Sequence, residues 1–504
     1  MTKNLLARIR ESPAFRTAIT SYFLIGSVTV TSLVAVPVAL GFLNAEEFGL
    51  WIFTKQALGY VLLLDFGVGA AVGRLMGGAL ADDEQKDRCF VTLSIVMLVQ
   101  ALVILVVGLL LLPYLLNWFE IPPYLKESVG QIWTISLLGS AAKHATRVID
   151  GTLFAQNRVY WANLSGGVGT WVEFVIFLVL LNLGWGVQSY SWAFLASIAC
   201  SILGVTIAFH IGPWRPVLKI KYFDFSMLRG LFNFSLKLFT LGAVAQVVFL
   251  SQSLIAAKLF GLTAAGSYSV CMRLTQLVRQ IIARLYEAHI PGWQKLFLDN
   301  QLADLIGRWR YHLKFIVGVT LIGSISVSCW NSLFVTQWAS PSLNVGSAFD
   351  FLAGAFLFAN IWTGAMMAPL IFKMDLNART YMALAQLLLT LVLCIFFANY
   401  IGLSGILLGA LIGNLITVFW FNSWNGAKIL GTKWELIWVS ILRPNSPLLF
   451  GIIGCGTISL WGDFNTIGRI TIWCCSALAF AFIHRGYIFE LTKQRSPATS
   501  LKAS

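Results

Sequence analysis

Long apolar segments follow one another along almost the whole chain and are separated by short polar connections. Most of them approach or exceed the roughly 20 residues with which an α-helix crosses the hydrocarbon core of a bilayer. We therefore predict an all-α polytopic membrane protein with about 14 transmembrane helices. The predicted spans are 17–43, 49–72, 89–116, 129–155, 160–183, 187–212, 230–258, 262–288, 312–335, 348–372, 380–400, 403–427, 446–461 and 466–484.

The amino-acid composition indicates the same class of protein. Of the 504 residues, 58% are hydrophobic and 11% are charged, and the mean hydropathy is +0.79. A soluble protein of this length could not bury so much apolar surface. No Walker loop, HExxH helix, GxSxG elbow or CxxC pair occurs in a credible context. We therefore predict neither an enzyme nor a site for a metal or an organic cofactor.

Positive charges are distributed unevenly over the connections between the spans. With the N-terminus in the cytoplasm, 26 of the 35 lysines and arginines lie on the cytoplasmic side, and three lie in outer loops (Lys126, Lys258 and Arg469). Such an excess marks cytoplasmic loops, so both termini are predicted to be cytoplasmic. The same distribution explains most of the net charge of +14 without a nucleic-acid partner.

A weak internal repeat relates the two parts of the chain. FLNAEEFGLW (42–51) aligns without gaps on LFGLTAAGSY (259–268), which pairs Gly49 with Gly266, and RVYWA aligns on RTYMA at nearly the same offset. Repeats of this kind enclose the substrate path in several transporter folds, so we predict two pseudo-symmetric six-helix lobes around a central cavity. The predicted divisions are 1–213 for the first lobe, 214–428 for the second, 429–485 for two additional helices and 486–504 for a cytoplasmic tail.

Charged and polar side chains inside the spans are candidates for function, because a charge at membrane depth costs at least ~2.5 kcal/mol. In span 8, one stripe of a helix whose opposite face is apolar contains Arg273, Gln276, Gln280, Arg284 and Glu287. This pattern is typical of a helix that lines a hydrated cavity. Arg284 and Glu287 are near the cytoplasmic end, where snorkelling to the membrane surface also explains them. Arg279 lies off the stripe, where packing against a neighbouring helix is expected.

Spans 2 and 7 each add a deep cation. By the repeat, Lys55 lies one residue from the counterpart of Arg273, and Lys237 lies on a polar face of span 7. Cations in the predicted interior outnumber acids, and a cavity with this bias attracts an anionic cargo. Arginine in particular binds phosphate oxygens in a bidentate manner.

Span 4 contains a charged cluster with two interpretations. Lys143, Arg147 and Asp150 share one helix face, and His144 lies beside them. The cluster is either an internally neutralised structural element or an element that responds to protons or anions. Glu173 in span 5 is a candidate ion-pair partner of the cluster, and Asp150 and Glu173 are candidate residues for coupling to an ion gradient.

Three segments resemble Wzx-type O-antigen and oligosaccharide flippases of the MOP exporter superfamily. They are LLDFGVGAAVGRLMGG, AAKLFGLTAAGSYSVCMRL and LFAQNRVYWANL, which begin at residues 63, 256 and 153. In this resemblance, Asp65 and Arg74 match a motif at the cytoplasmic end of span 2. They are candidates for gating, with an anchoring pair as the structural alternative.

The resemblance implies a multi-pass flippase of the bacterial inner membrane. Its cargo would be an undecaprenyl-pyrophosphate-linked oligosaccharide, moved from the cytoplasmic to the periplasmic leaflet through a cavity lined by spans 1, 2, 7 and 8. The cationic cavity positions of the family carry over onto Lys55, Arg273, Lys237 and Arg279. A proton or sodium gradient is the candidate driving force, and a polysaccharide polymerase and a chain-length regulator are candidate partners.

Two alternatives stay open. An ion-coupled multidrug or metabolite antiporter of the same superfamily would need an essential acid in the cavity of one lobe, which the sequence does not plainly show. A non-transporting scaffold of a glycan-assembly complex would tolerate the loss of Lys55 and Arg273.

Overall fold

Helices and their connections make up all of the structure that is described in this computed structural model. The described residues are 13–79, 82–212, 214–373, 377–461 and 466–487. The first helices are α1 (Pro13–Phe42), α2 (Ala45–Val61), α3 (Val68–Gly78), α4 (Asp83–Trp118), α5 (Pro123–Ala145), α6 (Arg147–Ala155), α7 (Val159–Asn182), α8 (Ser189–His210), α9 (Phe225–Phe260) and α10 (Leu262–Cys271). They are followed by α11 (Arg273–Glu287), α12 (Ile290–Leu298), α13 (Leu302–Trp338), α14 (Ser347–Met366), α15 (Ala368–Lys373), α16 (Asn377–Asn414), α17 (Trp420–Ile429), α18 (Trp434–Leu442), α19 (Ser446–Trp461) and α20 (Thr466–Ile483).

Contacts divide the chain into two compact units, Met1–Gly266 and Ser267–Ser504. The first unit includes α9, which the sequence analysis assigns to the second lobe. The physical reason is that α9 packs along α2 and α3, where the Tyr60 hydroxyl donates a hydrogen bond to the Val247 carbonyl over 3.3 Å. The division into two six-helix lobes stays a prediction.

The first unit has an apolar core centred on α3. Val68, Val72 and Met76 of α3 pack with Leu93 and Met97 of α4, and all five side chains are fully buried. Elsewhere in this unit, α7 packs against both α1 and α8. α2 contacts both α4 and α5, and the 3-10 turn that follows α2 also contacts α4.

In the second unit, α13 is the central helix. It packs against α14, α19 and α20, and Cys329 of α13 lies in a buried cluster with Cys455 of α19. The Arg469 guanidinium on α20 donates a hydrogen bond to the Cys329 carbonyl over 3.2 Å. The helices predicted as an addition to the two lobes are therefore integral to the packing of this unit.

The structure confirms an all-α protein with many candidate spans, although the described residues contain nine helices that are long and apolar enough to cross a membrane. Predicted spans 2, 4 and 8 are each divided into two shorter helices. Spans 11 and 12 form one continuous segment (Ala378–Ile429), and span 13 is short (Ser446–Ile458). These differences account for the difference between nine candidate helices among the described residues and fourteen predicted spans. The number of fourteen transmembrane helices stays a prediction.

Candidate functional site

The first unit contains a cavity of about 510 Å³, within the range of sites that hold small molecules or headgroups. The α2–α3 connection, α5, α6, α8 and α9 contribute its wall, which contains polar residues that the sequence analysis selected. The lining residues are Leu62, Leu63, Asp65, Gly67, Ser140, Lys143, His144, Arg147, Phe194, Ile198, Phe239, Gly242, Ala243 and Gln246.

The wall includes a break in predicted span 2. A 3-10 turn follows α2, and Phe66 and Gly67 then adopt left-handed backbone conformations with φ of 48° and 70°. The Asp65 carboxylate accepts a hydrogen bond from the Gly69 N–H over 2.9 Å. The Gln100 side chain donates to the Asp65 carbonyl over 3.1 Å. These side chains satisfy backbone groups that a broken helix would otherwise leave unpaired inside a membrane.

Asp65 also forms an ion pair in the wall. Arg147 Nη1 lies 2.6 Å from Asp65 Oδ2. His144 Nε2 lies 4.0 Å from the other carboxylate oxygen and 3.3 Å from Gln100 Oε1. The Arg147 side chain is 44% exposed and that of Asp65 is 16% exposed. The cation is therefore the more exposed member of the pair.

A second ion pair crosses the break in predicted span 4, where Thr146 separates α5 from α6. Lys143 Nζ on α5 lies 3.1 Å from Asp150 Oδ2 on α6 and 3.2 Å from Ser201 Oγ on α8. Together with the Arg147 pair, this is the arrangement that an internally neutralised cluster requires. Each of the two cations in the wall is thus paired with a carboxylate.

Lys55 and Glu173 lie elsewhere in the first unit. Lys55 is an exposed residue of α2 and is not one of the described lining residues. Glu173 on α7 is hydrogen-bonded to Ser197 on α8 and lies within electrostatic range of Lys55. In the described ion pairs, the span 4 cations Lys143 and Arg147 pair with Asp150 and Asp65, respectively.

The polar stripe of predicted span 8 lies in the second unit. Met272 interrupts the helix, so Arg273 is the first residue of α11. The half-buried members of the set are Arg273, Gln276 and Arg279, and the exposed member is Gln280. The predicted polar stripe thus falls on a separate short helix.

Two further predicted residues have less defined surroundings. Lys237 belongs to α9, and its side chain lies outside the described part of the structure. Arg74 is exposed on α3, whereas Asp65 pairs with Arg147 on another helix.

Gln100 is the residue that the sequence analysis missed. Its side chain is 8% exposed and contacts both the Asp65 carbonyl and the His144 ring. The available signal was a single amide in the apolar run 89–116, because a polar side chain at membrane depth needs a partner.

The model of a family described as polysaccharide biosynthesis protein matches residues 41–292, which is half of the chain. None of the curated proteins matches the chain. Solved structures with a similar fold include an inward-facing multidrug resistance MATE transporter of the MOP superfamily, with 17% identity, 80% of this chain and 96% of that chain covered, and a TM-score of 0.66.

Two other solved structures have similar values. The outward-facing conformation of a multidrug resistance MATE transporter has 18% identity, with 84% of this chain and 98% of that chain covered, and a TM-score of 0.59. A MOP superfamily transporter from Pyrococcus furiosus is described as having a binding pocket of reverse polarity. It has 16% identity, 84% of this chain and 97% of that chain are covered, and the TM-score is 0.60. At 16–18% identity, these similarities show the fold. The chain belongs to the polysaccharide biosynthesis protein family and has the fold of MATE transporters in the MOP superfamily.

Proposed function

We propose that the chain is a flippase for undecaprenyl-pyrophosphate-linked oligosaccharide repeat units of O-antigen or a related surface polysaccharide. It would carry them from the cytoplasmic to the periplasmic leaflet of the bacterial inner membrane. The observation that carries the proposal is a cavity wall in which the side chains of two cations, Arg147 and Lys143, are more exposed than that of Asp65, in a chain of a polysaccharide biosynthesis family. The pyrophosphate is the charged part of such a cargo and matches these cations. The sugars occupy the hydrated interior, and the lipid tail stays in the bilayer.

Arg147 is the residue of the first unit best placed to contact the pyrophosphate. Its guanidinium is close to half exposed while one edge is paired with Asp65. An incoming phosphate would compete with the carboxylate for the same donors. We infer that Asp65 and Arg147 form a gating pair, which is intact without cargo and opened by it. Lys143 and Asp150 form a second pair of the same kind.

The other predicted substrate contacts belong to the same proposal. In the first unit they are Lys55 and Lys237, and in the second unit they are Arg273, Arg279, Gln276 and Gln280. They supply cationic and amide donors along predicted spans 2, 7 and 8. Glu173 and Arg74 stay candidates for coupling and gating, and a polysaccharide polymerase and a chain-length regulator stay candidate partners.

We propose that the chain, with fourteen helices in two lobes, works by alternating access. Such a mechanism needs contacts that differ between its inward-open and outward-open states. We propose that one such set, the outer clasp, consists of the Glu120–Lys258 ion pair and the approach of Gly49 to Leu262. Lys258 Nζ lies 2.7 Å from Glu120 Oε1 and donates to the Trp118 carbonyl over 2.7 Å. Both segments belong to predicted outer loops, and Lys258 belongs to the predicted second lobe.

The two glycines related by the repeat meet in the outer clasp. A Cβ atom at Gly49 would overlap the carbonyl of Leu262 and lie 3.0 Å from the Thr263 nitrogen. A Cβ atom at Gly266 would lie 3.5 Å from the Gly49 Cα. At position 49, only glycine permits so close an approach to the backbone of Leu262. This geometry supports the clasp as a closed contact that opens during transport.

Surface glycan in a deletion strain tests the proposal. The strain is complemented with wild type, Arg147→Ala or Arg273→Ala, with matched protein levels. Arg308→Ala is the control, because Arg308 is an exposed arginine of α13 outside the proposed substrate contacts. We expect the two test variants to lose surface glycan and accumulate the lipid-linked intermediate inside. Full restoration by both variants would contradict the proposal and favour a scaffold.

One observation favours the antiporter alternative, namely that Asp65 supplies a carboxylate to the cavity wall. An antiporter would use it to exchange a proton or sodium ion for a cationic drug. Purified protein in proteoliposomes distinguishes the two functions. Gradient-driven uptake of a cationic dye that Asp65→Asn abolishes would support the antiporter, and movement of a lipid-linked pyrophosphate glycan without dye uptake would support the flippase.

A further inference from the structure

The second unit contains a separate cavity of about 410 Å³ at the turn between α17 and α18. It combines tryptophan rings with lysine ammonium groups, and no part of the proposed transport path uses it. We call it the Trp–Lys pocket. Its lining residues are Trp424, Ala427, Lys428, Thr432, Lys433, Trp434 and Glu435.

The turn that shapes the pocket is fixed by hydrogen bonds. Gly431 has a φ of 66°, its N–H donates to the Lys428 carbonyl over 3.2 Å, and the Thr432 N–H donates to the Ala427 carbonyl over 2.9 Å. This pair of bonds is the Schellman arrangement of a helix end. It holds the stretch between Lys428 and Lys433 in one conformation, so both lysines border one cavity.

Side chains behind the pocket anchor α17 to α14. The Trp362 indole donates to Ser423 Oγ over 2.9 Å, and the Asn422 amide donates to the Thr363 carbonyl over 3.0 Å. All four of these residues are buried. The pocket is therefore a surface feature built on a rigid support.

The chemistry of the pocket fits an anionic group at a membrane surface. Lys428 Nζ lies 5.5 Å from the centroid of the Trp424 ring, and Trp424 and Trp434 are 53% and 37% exposed. Two lysines face one carboxylate, that of Glu435. Tryptophan is enriched at the level of lipid headgroups, and basic pockets at the cytoplasmic ends of transmembrane helices bind phosphorylated headgroups.

We propose that the Trp–Lys pocket binds the phosphate-bearing headgroup of a lipid at the predicted cytoplasmic side. Lys428 and Lys433 contact the phosphate oxygens, and the tryptophan rings pack against the apolar part of the headgroup region. Two sources share this chemistry: an anionic phospholipid of the membrane and a polyisoprenyl pyrophosphate. The proposal does not depend on the transport function, because the pocket would bind phosphate whether or not the chain moves a glycan.

Binding to the purified full chain tests the proposal. Protein in phosphatidylcholine nanodiscs is titrated with cardiolipin in one arm and with farnesyl pyrophosphate in the other, and bound lipid is counted by native mass spectrometry. The test variant is Lys428→Gln/Lys433→Gln. The control is Lys219→Gln/Lys221→Gln, which removes the same charge from two exposed lysines outside this pocket. Unfolding temperatures of both variants establish that they are folded.

We expect the test variant to lose about thirtyfold in affinity, since each lysine near a lipid phosphate contributes about fivefold. The control should bind as wild type does. A loss confined to cardiolipin assigns the pocket to membrane lipid, and a loss confined to farnesyl pyrophosphate assigns it to a polyisoprenyl carrier. Unchanged affinity in both arms, or an equal loss in the control, would overturn the proposal.

Discussion

Substitution of Gly49 by alanine tests whether the outer clasp opens during function. In the closed contact, the added methyl group would overlap the carbonyl of Leu262. The clashing atoms belong to the backbone, so no side-chain rotation can relieve the overlap. The two segments must separate instead. The variant therefore penalises the closed clasp and leaves the open clasp unaffected.

The size of the effect follows from the cost of overpacking, which is about 1–3 kcal/mol for an added methyl group. If that penalty falls on the closed state alone, the ratio of open to closed molecules rises roughly 5-fold to 150-fold. The helix propensity of alanine over glycine contributes up to about 1 kcal/mol. The control must therefore be another substitution of a helical glycine by alanine, so that it has the same propensity contribution.

Gly41→Ala is the matched control, because Gly41 also lies in a helix and its added methyl group would meet nothing within 4 Å. A single cysteine at position 246, in the cavity wall, reports opening in a background without the native cysteines. A membrane-impermeant maleimide applied from outside should label the Gly49→Ala variant roughly 5-fold to 150-fold faster than wild type. Equal labelling of Gly49→Ala, Gly41→Ala and wild type would refute the clasp as a moving contact.

Three other predictions concern single contacts. Asp65→Asn combined with Arg147→Gln in a double-mutant cycle should give a coupling energy of roughly 0.5–3 kcal/mol in unfolding measurements, and no coupling would mean that the pair is incidental. Lys258 holds the pKa of Glu120 below its ordinary value of 4.5, so the pair is intact above that value and is lost as pH falls through the lowered pKa. Maleimide reacts with the thiolate, so each outer labelling rate is divided by that of a free cysteine peptide at the same pH. This ratio should stay constant from about pH 7.5 to 5.5. Trp133→Phe removes a hydrogen bond of 2.8 Å from a buried indole to a buried carbonyl and should cost about 1–3 kcal/mol, and an unchanged unfolding temperature would contradict this.

The sequence predicted the position of uninterrupted helices well. Predicted span 5 (160–183) corresponds to Val159–Asn182, and predicted span 14 (466–484) corresponds to Thr466–Ile483. The reason is that hydropathy reports the length of an apolar segment, and a continuous helix is the simplest structure that satisfies its backbone in a membrane.

The breaks in spans 2, 4 and 8 could not be predicted in the same way. The residues around Asp65 are mostly apolar, and one of the backbone groups at the break accepts a hydrogen bond from Gln100, which belongs to another helix. Helix periodicity placed Lys143 and Arg147 on one face. It could not show that Arg147 would pair with Asp65, because that contact exists only after α2 and α6 have packed in the same unit.

Charged residues and helix breaks coincide in this chain, and a physical reason connects them. A broken helix exposes N–H and C=O groups, which are tolerated at membrane depth only where protein buries them or water reaches them. Asp65 meets both conditions, because its carboxylate accepts from the Gly69 N–H while the residue lines the cavity. The same carboxylate balances Arg147, which directly follows the next break. A continuous helix of this length would need neither the acid nor the arginine, so the polar cavity and the interrupted helices depend on each other.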